Sequence, residues 1–90
     1  MFVTSQGSPL TRFYRALEQR NVFLADTAAR ELEGVLPLDD AYRLVLLYAE
    51  KRDDRFEKAA VRWLERYLTE RQPRLRDVAA VAAGLAERGG

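Results

Sequence analysis

The chain has 90 residues, no Cys, no His, and 15 basic against 14 acidic residues for a net charge of +1. The two absences exclude disulfides, Ser-His-Asp and Cys-His nucleophile systems and the usual His/Cys zinc sites. The near-neutral charge supplies no bulk pull toward nucleic acid or membrane. With 48% hydrophobic residues, the length suits one globular domain that buries roughly 60–65% of its unfolded surface.

Residues 1–8 read as a flexible N-terminal tail. They lack the basic start and long apolar run of a signal peptide. Ser8-Pro9 is a helix start, with Ser as N-cap and Pro at the first helical position, where its missing N–H costs nothing. Leu10, Phe13, Tyr14 and Leu17 then repeat at i, i+3, i+4, i+7, which makes one apolar face of a helix ending near Arg20. Asn21 is the expected N-cap of a second helix carrying Ala25, Ala28, Ala29 and Leu32. Gly34 suits its left-handed close, and Pro37 stops any continuation.

The third helix is expected from about Leu38 to Arg52, with Asp39 and Asp40 at its positive end and Lys51 and Arg52 at its negative end. Its middle, Tyr42–Ala49, is apolar nearly all round, the mark of a buried helix, so it should be the central element. Its longest apolar run, Leu44 to Ala49, is six residues, far short of the ~20 that span a bilayer. Asp53-Asp54 should open a fourth helix whose stripe Phe56, Ala59, Ala60, Trp63, Leu64, Tyr67 and Leu68 ends before Gln72-Pro73. Trp63 is the expected anchor of the core. A fifth helix, about Arg74 to Glu87, has a face of mostly small residues (Leu75, Val78, Ala79, Ala82, Leu85 and Ala86) suited to close approach.

The expected fold is therefore all-α: a compact bundle of about five short helices, with residues 9–88 as a single domain. A weak repeat is visible. Ala28–Glu33 resembles Ala60–Glu65, and Leu38–Ala41 resembles Leu75–Val78. Two stacked helical hairpins with the first helix as a cap would follow; the alternative is that Ala-rich amphipathic helices resemble one another anyway.

Thirteen of the fifteen basic residues are Arg, and Ala also occurs thirteen times; Arg binds carboxylate and phosphate bidentately, but a GC-rich genome produces the same bias and is the preferred reading for most of these positions. The fourth helix nevertheless carries a basic ridge. At about 100° per residue, Arg55, Lys58, Arg62 and Arg66 fall within about an 80° arc, away from the Trp63 face. Arg71, Arg74 and Arg76 cluster around Pro73 and would extend the ridge into a phosphate-binding strip. The competing reading is a solvated charged face with local pairs, such as Arg66 with Glu70.

Leu75–Leu85 has the flavour of the first half of a helix-turn-helix, but the five residues after Leu85 leave no room for a recognition helix. Asp39-Asp40 and Asp53-Asp54 sit where helix starts explain them, near no Gly-rich phosphate loop. Neither a metal, a cofactor nor a catalytic residue is expected. Trp63, Tyr42, Tyr48, Tyr67, Phe56 and Phe13 have core spacing, although a ligand cage would use the same residue types.

Four runs resemble a group of small, uncharacterised helical proteins common in actinobacteria: Arg12–Leu17, Ala28–Leu32, Leu38–Ala41 and Arg55–Trp63. The resemblance implies a bacterial, cytoplasmic, all-helical protein and no activity. The expected function is non-enzymatic: a protein–protein interaction module, a small adaptor or regulatory subunit, that binds another protein or itself. Phe2, Val3, Phe23 and Val61 look surplus to one compact core, and self-association is the simplest use for them. The alternative is a nucleic-acid-associated regulator acting through the basic ridge.

Overall fold

A computed structural model describes residues 8–32 and 34–89; residues 1–7 of the expected tail, with Phe2 and Val3, lie outside these, and Ser8 belongs to the start of the first helix. Five helices follow in order: α1 (Pro9–Glu18), α2 (Val22–Glu31), α3 (Leu38–Glu50), α4 (Phe56–Arg71) and α5 (Leu75–Gly89). The described residues contain no strand. Local chemistry sets the starts of the first two. The Ser8 Oγ accepts from Thr11 N–H at 3.2 Å, and the Asn21 side chain accepts from Leu24 N–H at 3.0 Å. Each satisfies one of the donors a helix leaves orphaned at its N-terminus.

The ends of α1 and α3 are alike in detail. Arg20 (φ 56°) and Arg52 (φ 53°) both sit in the left-handed region. Asn21 N–H reaches back to Ala16 O, and Asp53 N–H to Tyr48 O, each at 2.9 Å. Both turns are thus Schellman closures with Arg where Gly is usual. They stand thirty-two positions apart, in Glu18-Gln19-Arg20-Asn21 and Glu50-Lys51-Arg52-Asp53. This is the same offset that relates Ala28–Glu33 to Ala60–Glu65.

The repeat therefore relates hairpin α1–α2 to hairpin α3–α4. These are also the two most closely packed helix pairs, and the leftover helix is α5 instead of α1. The likeness of Leu38–Ala41 to Leu75–Val78 pairs α3 with α5 and has no counterpart in this arrangement. The second turn differs from the first in one respect. Asp53-Asp54 does not open α4, which begins at Phe56. Asp53 instead accepts Arg55 N–H at 2.9 Å and pairs with its guanidinium at 3.0 Å.

As expected, α3 is the hub. It packs against all four other helices and supplies buried Leu38, Leu44, Val45, Leu47 and Tyr48. Phe13 and Leu17 of α1, Ala25 and Ala28 of α2, and Phe56, Ala60 and Trp63 of α4 close around it. Trp63 is the anchor its position promised. Its ring lies between Tyr42 (centroids 4.7 Å apart) and Tyr67 (5.1 Å, near parallel), and its Nε1–H donates to Leu38 O at 2.8 Å. The six aromatics are core and core margin, with no cage. Exposed pairs tie the outside: Arg12 forks onto Glu31 at 2.8 and 3.1 Å, Arg20 meets Glu50 at 2.7 Å, and the Tyr14 hydroxyl donates to Asp40 at 2.7 Å. Such exposed pairs set alignment more than stability.

The small face of α5 does not bring it close along its length. Leu85 is its single buried residue. Leu85 and Val81 pack against the core, and at the end of the helix a Cβ on Gly89 would lie 2.5 Å from the Phe56 ring. Gly84, which a helix-turn-helix would need as a turn, lies inside the helix.

An Arg in the left-handed region costs about 1 kcal/mol or more that Gly avoids. Arg52 makes no ion pair among the described residues. Arg52→Gly should therefore raise stability by about 0.5–1 kcal/mol, read from urea denaturation midpoints at constant m; a loss of stability would show that the Arg52 side chain supports the turn.

Candidate partner-binding site

α2 and α4 flank α3 without touching each other. The gap between them is a trough of about 890 Å³. Its floor is a face of α3 made of half-buried Ala41 and buried Leu44, Val45 and Tyr48, at i, i+3, i+4, i+7. Ala29 of α2 and Ala59 and Trp63 of α4 complete the apolar lining. The three alanines are half-buried. Their short side chains are one reason the groove stays open between two helices that both pack on α3.

The wall on α4 carries Arg55, Lys58, Arg62 and Arg66, all four residues of the basic ridge. The ridge faces away from the core stripe, as the helical wheel requires. It nevertheless shares the trough with Trp63, because the gap opens on that flank of α4. Two of the four cations are spoken for. Arg66 pairs with Glu70 at 2.7 Å, as its i+4 spacing predicts, and Arg55 pairs with Asp53. Lys58 and Arg62, one turn apart at mid-wall, have no ion pair among the described residues.

Arg71, Arg74 and Arg76 do not continue the ridge. None of them lines the trough. Arg71 lies on the far flank of α4 and meets Asp39 at 3.3 Å. Arg74 and Arg76 are exposed beyond the Gln72-Pro73 turn. A continuous phosphate-binding strip through all seven residues is thus not formed; the turn of α4 past Arg66 carries Arg71 to the opposite side.

One end of the trough carries a cluster that joins α2, α3 and Arg55, the residue just ahead of α4. The Tyr48 hydroxyl donates to Asp26 Oδ1 at 2.7 Å, and Arg30 Nε donates to Oδ2 at 2.9 Å. Arg55 Nε stands 4.0 Å from the same carboxylate, with its guanidinium 6.0 Å from the Tyr48 ring centroid. Burial pushes the Asp26 carboxyl up, but hydrogen bonds from Tyr48 and Arg30, with the nearby charges of Arg30 and Arg55, outweigh it and hold the group below its ordinary value. Burial, then the hydrogen bond to Asp26, raise the Tyr48 phenol well above its usual range, so it remains a donor. Asp26 escaped notice in the sequence because α2 alone gives it no partner but Arg30; its role needs Tyr48 and Arg55 beside it.

A second surface lies on the other flank of α4. Val61 is 50% exposed, Leu68 47%, and Leu75, just past the turn into α5, 83%. α5 contributes nothing to the trough, so the two surfaces are separate. Phe23, on α2, is likewise exposed at 70%. Among the described residues no group of acidic side chains has the geometry to hold a metal ion, and no helix is long and apolar enough to cross a membrane.

Comparison with known protein families, with curated proteins and with solved structures finds no match for this chain.

The depressed Asp26 pKa fixes a sign. The unfolded chain binds the proton more tightly, so the stabilisation from this cluster is fully present above about pH 4 and is lost as pH falls through the folded-state value. Asp26→Asn should therefore cost about 1–2 kcal/mol at pH 7. The gap between variant and parent should narrow at pH 3. Urea titrations at the two pH values check this; an equal gap at both would show that the carboxylate charge is not what the cluster uses.

Proposed function

We propose that this chain is a non-enzymatic protein–protein interaction module, a small adaptor or regulatory subunit that works through helix faces. The observation that carries the reading is the apolar flank of the α4–α5 hairpin. Large aliphatic side chains at Val61, Leu68 and Leu75 stand about half to four-fifths exposed. They adjoin a 15-residue helix that buries only Leu85. Single exposed aliphatics are ordinary, but several on one hairpin that is otherwise thinly covered are the pattern of a surface completed by another chain. A second copy is the simplest completion, through an isologous contact of hairpin on hairpin.

The second reading, a nucleic-acid-associated regulator, rests on Lys58, Arg62, Arg74 and Arg76, the members of the predicted strip without ion pairs among the described residues. Two of these lie in the trough and two beyond the turn. With a net charge of +1, the chain offers such a ligand little long-range attraction.

Light scattering coupled to gel filtration tests the preferred reading. The parent chain should approach twice its monomer mass of 10.3 kDa as its concentration rises to about 100 µM, the range expected of a modest interface. Leu75→Glu should remain monomeric with unchanged helical circular dichroism, since Leu75 is almost fully in solvent. A parent chain that stays monomeric throughout, or a Leu75→Glu variant that still dimerises, contradicts self-association through this hairpin.

A further inference from the structure

We infer that α5 pairs with the α5 of a second copy, antiparallel across a two-fold axis, so that each helix is to the other what α4 is to α3. The inference rests on the self-association reading and names the helix, the register and the charges that make the contact.

The likeness of α3 to α5 points to the missing neighbour. Set against each other at an offset of 37 positions, the two helices share Leu38 with Leu75, Asp40 with Asp77, Ala49 with Ala86 and Glu50 with Glu87. α5 thus repeats the first arm of a hairpin, and no second arm follows it among the described residues. The matched positions are buried alike at one end, where Tyr48 is 3% exposed and Leu85 2%. At the other end they part: Leu38 is 4% exposed and Leu75 83%. The cause is α4. Its Trp63 donates to Leu38 O and packs its ring on Tyr42. Those two residues head the stripe Leu38, Tyr42, Val45 and Ala49, at i, i+4, i+7, i+11, the seam spacing of paired helices.

The matching stripe on α5 is Leu75, Ala79, Ala82 and Ala86, and none of the four is buried. At about 100° per residue the stripe is centred about 90° round the helix from Leu85, so it is a separate face from the one on the core. Short side chains along it let a second helix approach to about 8 Å between axes.

Charge decides which helix lies there. α5 carries four charged residues, and none has an ion pair among the described residues. Asp77 and Arg88 project from the side opposite the stripe. Arg76 and Glu87 share one edge of it and stand at its two ends, roughly 16 Å apart at 1.5 Å per residue. A helix alongside therefore needs an anion level with Arg76 and a cation level with Glu87. An antiparallel copy of α5 supplies both, because a two-fold axis brings like edges together and exchanges the ends. Leu75 then stands level with the partner's Ala86, and Ala79 with the partner's Ala82. In the same register Arg76 falls within roughly 3 Å along the axis of the partner's Glu87, and the symmetry makes this pair twice. A parallel pair would instead set Arg76 against Arg76 and Glu87 against Glu87.

Sedimentation equilibrium of the full chain tests the pairing. Arg76→Glu and Glu87→Arg should each weaken the dimer about tenfold, since each reversal creates two like-charge pairs. Both reversals also place a charge where the helix dipole favours it, so helical content and the thermal midpoint should hold. The double variant Arg76→Glu, Glu87→Arg should return to the parent affinity, and an equimolar mixture of the two single variants should form a heterodimer tighter than either homodimer. Ala79→Glu, a change on the exposed stripe, should leave a folded monomer. Exchange of the α5 amides, fast in the dilute monomer, should slow with concentration in the parent and not in Ala79→Glu.

A parent dimer indifferent to the single reversals, a double variant no tighter than the singles, or an Ala79→Glu variant that dimerises like the parent overturns the α5 pairing. Each of these leaves self-association through the α4 side of the hairpin standing. A parent chain that stays monomeric overturns the self-association reading itself, and the pairing with it.

Discussion

The broad apolar face of α3 has to be covered, and four short helices do it, leaving Asp39, Arg43 and Glu50 on the side that meets solvent. Leu38, Leu44, Val45, Leu47 and Tyr48 are all buried, and at about 100° per residue they span about half of the helix circumference. α1 and α2 cover it as one hairpin, α4 covers it as the return arm of its own hairpin, and α5 reaches it near Leu85. α2 and α4 both pack on α3 but stay apart, and the line of α3 between them becomes the floor of the trough. The groove is thus a consequence of the same burial requirement that organises the core.

The 32-residue offset gives that arrangement a plainer description: two helical hairpins with the same Schellman turn between their arms, stacked and followed by one closing helix. Helical-repeat proteins use stacking of this kind to bury a continuous core and leave a groove along the stack. Here α4, the outer arm of the second hairpin, has three distinct sides. One faces α3 with Phe56, Ala60 and Trp63. One presents Lys58 and Arg62 to the trough. The third carries Val61 and Leu68 in solvent. A single 16-residue helix can therefore serve the core and two separate surfaces.

Much of this was legible along the chain, because it depends on neighbours in sequence. Ser8-Pro9, Asn21, the buried middle of α3 and the Trp63 stripe all act within a turn or two of themselves, and the structure uses them as their spacing indicates. What the spacing did not contain was the relation between helices. The repeat was visible at Ala28 and Ala60, but Leu38 and Leu75 suggested a different register, and nothing local shows that Glu18–Asn21 and Glu50–Asp53 form matching turns until their φ angles are known. Asp53 and Asp54 read as a helix start because acids favour that position; the Schellman turn at Arg52 instead takes up Asp53 before α4 begins. Arg55, Lys58, Arg62 and Arg66 share one side of the α4 segment, whereas helix rotation and the turn at Gln72 separate Arg71, Arg74 and Arg76 from them. The trough floor on α3 and the role of Asp26 were out of reach, since each needs residues from three helices.

The helices differ in how firmly each is held: α3 most, α5 least. Native-state hydrogen exchange, resolved by residue, reads that ranking directly. The amides of Leu44 to Tyr48 should exchange slowest in the chain, close to the rate set by global unfolding, and those of α5 from Val78 to Gly84 should exchange orders of magnitude faster through local opening. Protection in α5 equal to that in α3, or α3 amides exchanging ahead of those in α1 and α4, would contradict the view that everything else is packed on α3.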